Sequence, residues 1–145
     1  MSFESSLHQL ATQFGQPGLL DAPHVLTLQA IPITLAPDAA DTGCVATVEI
    51  GRINPSNTAL LEAMLGANLF GDGHGTSVLG MRTTGEVRVT LHCSPIPAEP
   101  AELGAALLRL AEHAGRWRKR VAPPHAAPAA QLNPPSVAAR AAQTA

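Results

Sequence analysis

The chain has 145 residues, 46% of them hydrophobic and 14% charged, with a formal net charge of −2. That length suits one domain with a single core, burying roughly two-thirds of the surface its unfolded chain exposes. The charge is unevenly spread: Met1 to Glu102 holds ten acidic residues against three basic ones, and the rest holds Glu112 against six basic ones. An acidic body repels phosphate backbones and anionic lipid, which excludes nucleic acid and membranes as its natural partners.

In chain order, Phe3, Leu7, Leu10 and Phe14 recur at helical spacing, Ser2 can cap the start, and Gly15-Gln16-Pro17-Gly18 stops the run. His24 to Leu35 is extended in character, but Pro32 has no N–H to give a sheet ladder. The expectation is an edge strand, or two short strands split near Ile31-Pro32. Pro37 to Gly43 supplies turn residues. Cys44 to Ile50 then alternates, with Cys44, Ala46, Val48 and Ile50 on one face.

Asn54 to Phe70 reads as the central helix, with Asn54 as N-cap and Pro55 at the first helical position. Leu60, Leu61, Met64, Leu65 and Leu69 give about half its circumference an apolar surface. Two further helices can already cover one sheet face, so this one has apolar surface left over, which in a soluble chain marks a subunit interface. Gly71 to Gly75 follows, and Thr76 to Met81 reads as a strand. Thr84-Gly85 turns it into Glu86 to Cys93, where Val87, Val89, Leu91 and Cys93 share a face.

Pro95-Ile96-Pro97 ends the sheet and Pro100 starts the last helix, whose stripe is Leu103, Leu107, Leu110, Ala114, Trp117 and Val121. Arg116, Arg118, Lys119 and Arg120 crowd its final turn, where cations oppose the partial negative charge of a helix end. From Ala122 on, Ala and Pro dominate with little to bury, the composition of a disordered tail. The expected fold is α+β: an antiparallel sheet of about five strands with three helices in the order α-β-β-β-α-β-β-α. The domain would span residues 1–121 and the tail residues 122–145.

Chemistry is sparse. The Gly71 to Gly75 stretch runs from helix into strand with no Lys after it, the reverse of a phosphate-binding loop. The six histidines do not pair at metal-ligand spacing, and Cys44 and Cys93 have no CxxC partner. No serine sits in a nucleophile elbow. The reading is therefore no catalytic residue, no cofactor and no metal. No apolar run approaches the length of a membrane span, and two thiols on strands suit a reducing cytoplasm.

Leu60-Leu61-Glu62-Ala63-Met64-Leu65-Gly66-Ala67-Asn68-Leu69-Phe70, the glycine-rich turn, Ser77 to Met81, Gly85 to Leu91, and a closing helix with Leu107, Leu110, Ala111, Glu112 and Trp117 form an ordered set. In that set the chain resembles the class I type III secretion chaperones of the Tir chaperone family, from about Met1 to Val121. The resemblance implies a cytoplasmic bacterial homodimer, paired through the second helix and the neighbouring strand. It would bind the N-terminal part of one or more secreted effectors in extended form, without ATP. The dimer interface would use Leu60, Leu61, Met64, Leu65 and Leu69 with Val78 and Met81. Cargo would add to the Pro-interrupted edge strand and bury side chains against Leu26, Leu28, Ile31, Ile33 and Leu35 and against Phe14 of the first helix. The secretion-system ATPase is a further partner. Two other readings compete: a dimeric enzyme or ligand-binding domain with His74 or His92 near the Gly71–Thr76 turn, and a structural subunit of a permanent hetero-complex.

Overall fold

A computed structural model describes residues 1–70 and 77–122. The Gly71–Gly75 turn with His74 and the Ala/Pro tail beyond Ala122 lie outside the described residues. Three helices and five strands follow in the expected order: α1 (Phe3–Phe14), β1 (His24–Leu28), β2 (Ile31–Pro37), β3 (Cys44–Arg52), α2 (Thr58–Phe70), β4 (Ser77–Met81), β5 (Glu86–Cys93) and α3 (Pro100–Val121). A 3-10 helix over Pro17–Leu20 joins α1 to β1.

α1 begins and ends as its sequence dictates. The Ser2 hydroxyl accepts the Ser5 N–H at 3.1 Å, and Gly15 takes the left-handed conformation at φ 64°, returning its own N–H to the last helical carbonyls. α3 starts at Pro100, and every residue of its expected apolar stripe is buried. It runs across β1, β2, β3 and β5, while α1 packs beside it.

The sheet is antiparallel throughout, in the order β1-β2-β3-β5-β4. Helices cover one face only. Cys44, Ala46, Val48 and Ile50 of β3 point into that face with Val87, Val89 and Leu91 of β5, as their alternation requires. A register shift between Glu49 and Gly51 breaks the β3–β5 ladder. Beside it the Arg118 guanidinium donates to the Glu49 carbonyl at 3.0 and 2.7 Å, so one cation of the basic helix end is used to hold α3 to the sheet. Arg120 stacks on the buried Trp117, 4.6 Å from the ring centre.

Two local expectations are corrected. α2 begins at Thr58 rather than Pro55: the Asn54 side chain accepts the Ser56 N–H at 2.9 Å, closing a turn, and Asn57 instead caps the helix by accepting the Leu60 N–H at 3.2 Å. The extended segment divides at Gln29-Ala30, not at Ile31-Pro32. Gln29 and Ala30 take φ of 52° and 64°, the paired left-handed values of the tight turn that matches strand twist.

Candidate interfaces at the two margins of the sheet

The order β1-β2-β3-β5-β4 leaves β1 and β4 as margins, and each presents a row of outward peptide groups. On β1 the register decides which groups face out. Thr27 lies opposite Pro32, which has no N–H, so that rung cannot close, and Thr27 turns both its peptide groups outward. The Gln16 carboxamide meets both. Its Nε2 donates to the Thr27 carbonyl at 2.7 Å and its Oε1 accepts the Thr27 N–H at 2.9 Å, as a neighbouring strand would. Val25, two residues back opposite Thr34, shares this orientation. Among the described residues its outward groups have no partner outside the ladder.

On β4 the corresponding residue is Leu79. The Asn68 carboxamide, from α2, donates to its carbonyl and accepts its N–H, both at 2.8 Å. Each margin is thus closed at one rung by a side-chain amide. No sequence signal had marked Gln16 or Asn68. The one available was Pro32, which fixes the outward rung of any strand paired beside it.

The expected interface residues divide by depth. On α2, Met64 is buried, while Leu60 and Leu61 are half-buried against the core. Leu65 is 69% exposed and Leu69 75% exposed, and Val78 of β4 is 50% exposed. Met81 is half-buried. These residues share the β4 end of the subunit, since α2 packs against β4. On the helix-free face beside them, Val78, Met81, Arg88 and Thr90 line a shallow depression of about 420 Å³.

At the opposite margin Leu26, Leu28, Ile31, Ile33 and Leu35 are all buried. They occupy the sheet face that α3 crosses, so a row expected to receive cargo side chains is closed within the subunit. Phe14, in the last turn of α1, stays half-buried. What β1 offers outward is its peptide groups and the side chains of Val25 and Thr27. His24 is fixed beneath, its Nδ1 2.9 Å from the Leu19 carbonyl and its ring edge-on to Phe3.

Charge on the described residues is arranged in pairs and turns. Across the open face Arg88 pairs with Glu49 at 3.0 Å, and Glu86 accepts from Arg52 and from the Thr84 hydroxyl. The Thr84 hydroxyl bond holds the Glu86 carboxyl below its ordinary range, with Arg52 and Arg82 adding to it. Asp38 is lowered too, chiefly by the Gly43 N–H. Among the described residues no group of three or more His, Cys, Asp and Glu could hold a metal ion, and no helix is long and apolar enough to cross a membrane.

The subunit is thus a one-sided α+β sheet with both margins partly open, carrying exposed apolar side chains at one and outward peptide groups at the other. The chain belongs to the Tir chaperone protein (CesT) family, whose model matches residues 5–118. No curated protein matches the sequence. Among solved structures it is similar to the Yersinia pestis type III secretion chaperone SycH in complex with a fragment of YscM2. That match has a TM-score of 0.62 and 18% identity, over 80% of this chain and 99% of that one. The ExsC–ExsE complex gives 0.62 and 18%, over 83% and 97%. The ExoU–SpcU complex from the type III secretion system of Pseudomonas aeruginosa gives 0.60 and 20%, over 81% and 98%. At these identities the likeness is one of fold.

Proposed function

We propose that this chain is a type III secretion chaperone that binds the N-terminal region of a secreted effector in extended form and keeps it competent for export, without ATP. The observation that carries the reading is the family match over residues 5–118 on a fold whose two margins are open in different ways. SycH is solved with a fragment of YscM2, and SpcU with ExoU. Those complexes support an analogous partner for this chain.

The subunit works as a homodimer. Leu65, Leu69 and Val78, with Leu60, Leu61, Met64 and Met81 behind them, meet their two-fold copies, because a symmetric pairing buries the same apolar patch twice. Cargo adds as a strand along β1. Its backbone pairs with Val25 and, once Gln16 moves aside, with Thr27. Phe14 receives an apolar cargo side chain, while Leu26, Leu28, Ile31, Ile33 and Leu35 hold the strand flat from within. Each aliphatic side chain that cargo buries contributes about 1.5–3 kcal/mol before ordering costs. The acidic body favours a basic cargo segment and speeds its capture.

Co-expression with the protein encoded beside it in the genome tests the proposal. A soluble complex in which the partner's N-terminal region resists protease is expected. Failure of every neighbouring secreted protein to co-purify, together with turnover of a small molecule by the isolated chain, would replace this reading with an enzymatic one.

A further inference from the structure

Cys44 and Cys93 are the only cysteines in the chain, and they stand directly opposite each other on the last rung of the β3–β5 ladder. Each belongs to the inward-facing set of its strand, so both side chains point to the same side of the sheet. Cys44 is buried and Cys93 half-buried, and both are free thiols. The type of rung follows from the neighbouring strand. Pro37 faces Cys44 from β2 and has no N–H, so Cys44 directs its peptide groups to β5. A hydrogen-bonded rung of this kind sets the Cα atoms about 5.5 Å apart, within the range found in disulfides, and the Cβ atoms up to about 1 Å farther apart than a disulfide spans, so closing the bond draws these strand ends together.

The rung is also held in place. The Ser94 hydroxyl donates to Asp38 at 3.0 Å, and the other Asp38 oxygen accepts the N–H groups of Ala40, Thr42 and Gly43 at 3.0–3.2 Å. A Cβ on Gly43 would lie 2.9 Å from that of Ser94, so the β2–β3 turn sits tightly on the end of β5. Strands fastened in this way cannot drift out of register and carry the two sulfurs apart.

We propose that Cys44 and Cys93 form a redox-addressable pair, which a small disulfide such as oxidised glutathione converts to a cross-strand disulfide within one subunit. The half-buried Cys93 is the sulfur an oxidant can reach. Its thiolate attacks the small disulfide, forming a mixed disulfide and releasing one glutathione thiolate. Cys44 then gives up its proton and attacks Cys93 Sγ, expelling the second. The protein loses two protons and two electrons, and the oxidised glutathione leaves as two thiols. Burial pushes the Cys44 thiol up to about 12, with the Cys93 charge adding to it, and raises Cys93 as well. The exchange is therefore slow at neutral pH and quickens as the pH rises. The closed loop contains α2 and β4, so the staple secures the margin assigned to self-pairing and leaves β1 untouched.

Intact mass and thiol titration of the denatured protein, after incubation with oxidised glutathione at pH 8.5, test this in the full chain. The wild type should lose two hydrogens and both titratable thiols, run as a single subunit on a non-reducing gel, and melt about 5–10 °C higher until a reductant is added. Cys44→Ser should stop at one glutathione adduct, and Cys93→Ser should stay unmodified. A wild type that stops at the single adduct, keeps both thiols or cross-links between subunits would overturn the proposal.

Discussion

At one margin of the sheet the Gln16 carboxamide pairs with Thr27, and at the other the Asn68 carboxamide pairs with Leu79, with nearly equal distances. The surroundings differ. Gln16 is a half-buried loop residue just past the end of α1 that bonds the exposed Thr27, and the apolar side chains of β1 and β2 beside it are buried. Asn68 belongs to α2, and its neighbours Leu65, Leu69 and Val78 stay in solvent. A bare strand edge invites indiscriminate pairing, and here both ends are blunted by a side chain. In the proposed function, a segment with no structure of its own supplies backbone groups to β1, and a second copy of the subunit supplies a matching apolar patch to α2 and β4.

Substitutions at the two margins should fail in different ways. Ile33→Asp should have the largest effect. It buries a charge beneath β1 and should lower stability by about 3–5 kcal/mol, read as a collapsed urea midpoint, so that loss of cargo binding would follow unfolding. Leu65→Asp should leave the subunit folded while raising the dimer dissociation constant at least about 100-fold, as measured by sedimentation. A dimer of unchanged affinity would move the self-pairing surface away from α2. Asn68→Ala should cost about 1–3 kcal/mol, since its two bonds reach the buried Leu79, and should speed amide exchange at Leu79. Gln16→Ala, at the exposed margin, should cost only about 0.5–1.5 kcal/mol and free the Thr27 amide to exchange. Equal losses from the two amide deletions would erase the distinction between the margins.

The smallest effect is expected at a turn remote from both. Asp38 has its carboxyl lowered in the folded chain, so its contribution is complete above the unfolded value near 3.9 and fades as the pH falls through the lower folded one. Asp38→Asn should therefore cost a small amount of stability at neutral pH and flatten the profile below about pH 4, where the wild type loses the same contribution. A profile unchanged at acid pH would mean that the turn gains nothing from the charge.

Much of the fold was legible because hydrophobic spacing alone determines it. Glu86 to Cys93 is a strand with the expected inward residues, and the stripe of α3 is buried along its whole length. The places that were hidden depend on single polar side chains. Asn57, not Asn54, starts α2 because each asparagine could close either a turn or a cap. The β1–β2 turn was missed because it uses Gln29 and Ala30 where glycine or asparagine would have announced a left-handed pair. The apolar row of β1 and β2 was correctly read as one face, but periodicity does not say which face the helices cover, so its burial had to be seen. Gln16 and Asn68 carried no pattern, since a carboxamide that stands in for a strand is defined by what lies across from it in space.

Hydrogen exchange by mass spectrometry, on the chain alone and bound to the secreted protein encoded beside it, is the most direct test. Cargo should bring new protection to Val25–Leu28 while leaving α2 and β4 as they are, because in the proposed homodimer self-pairing already protects them. Protection that appears at α2 and β4 and spares β1 would contradict the assignment of one margin to cargo and the other to a second copy.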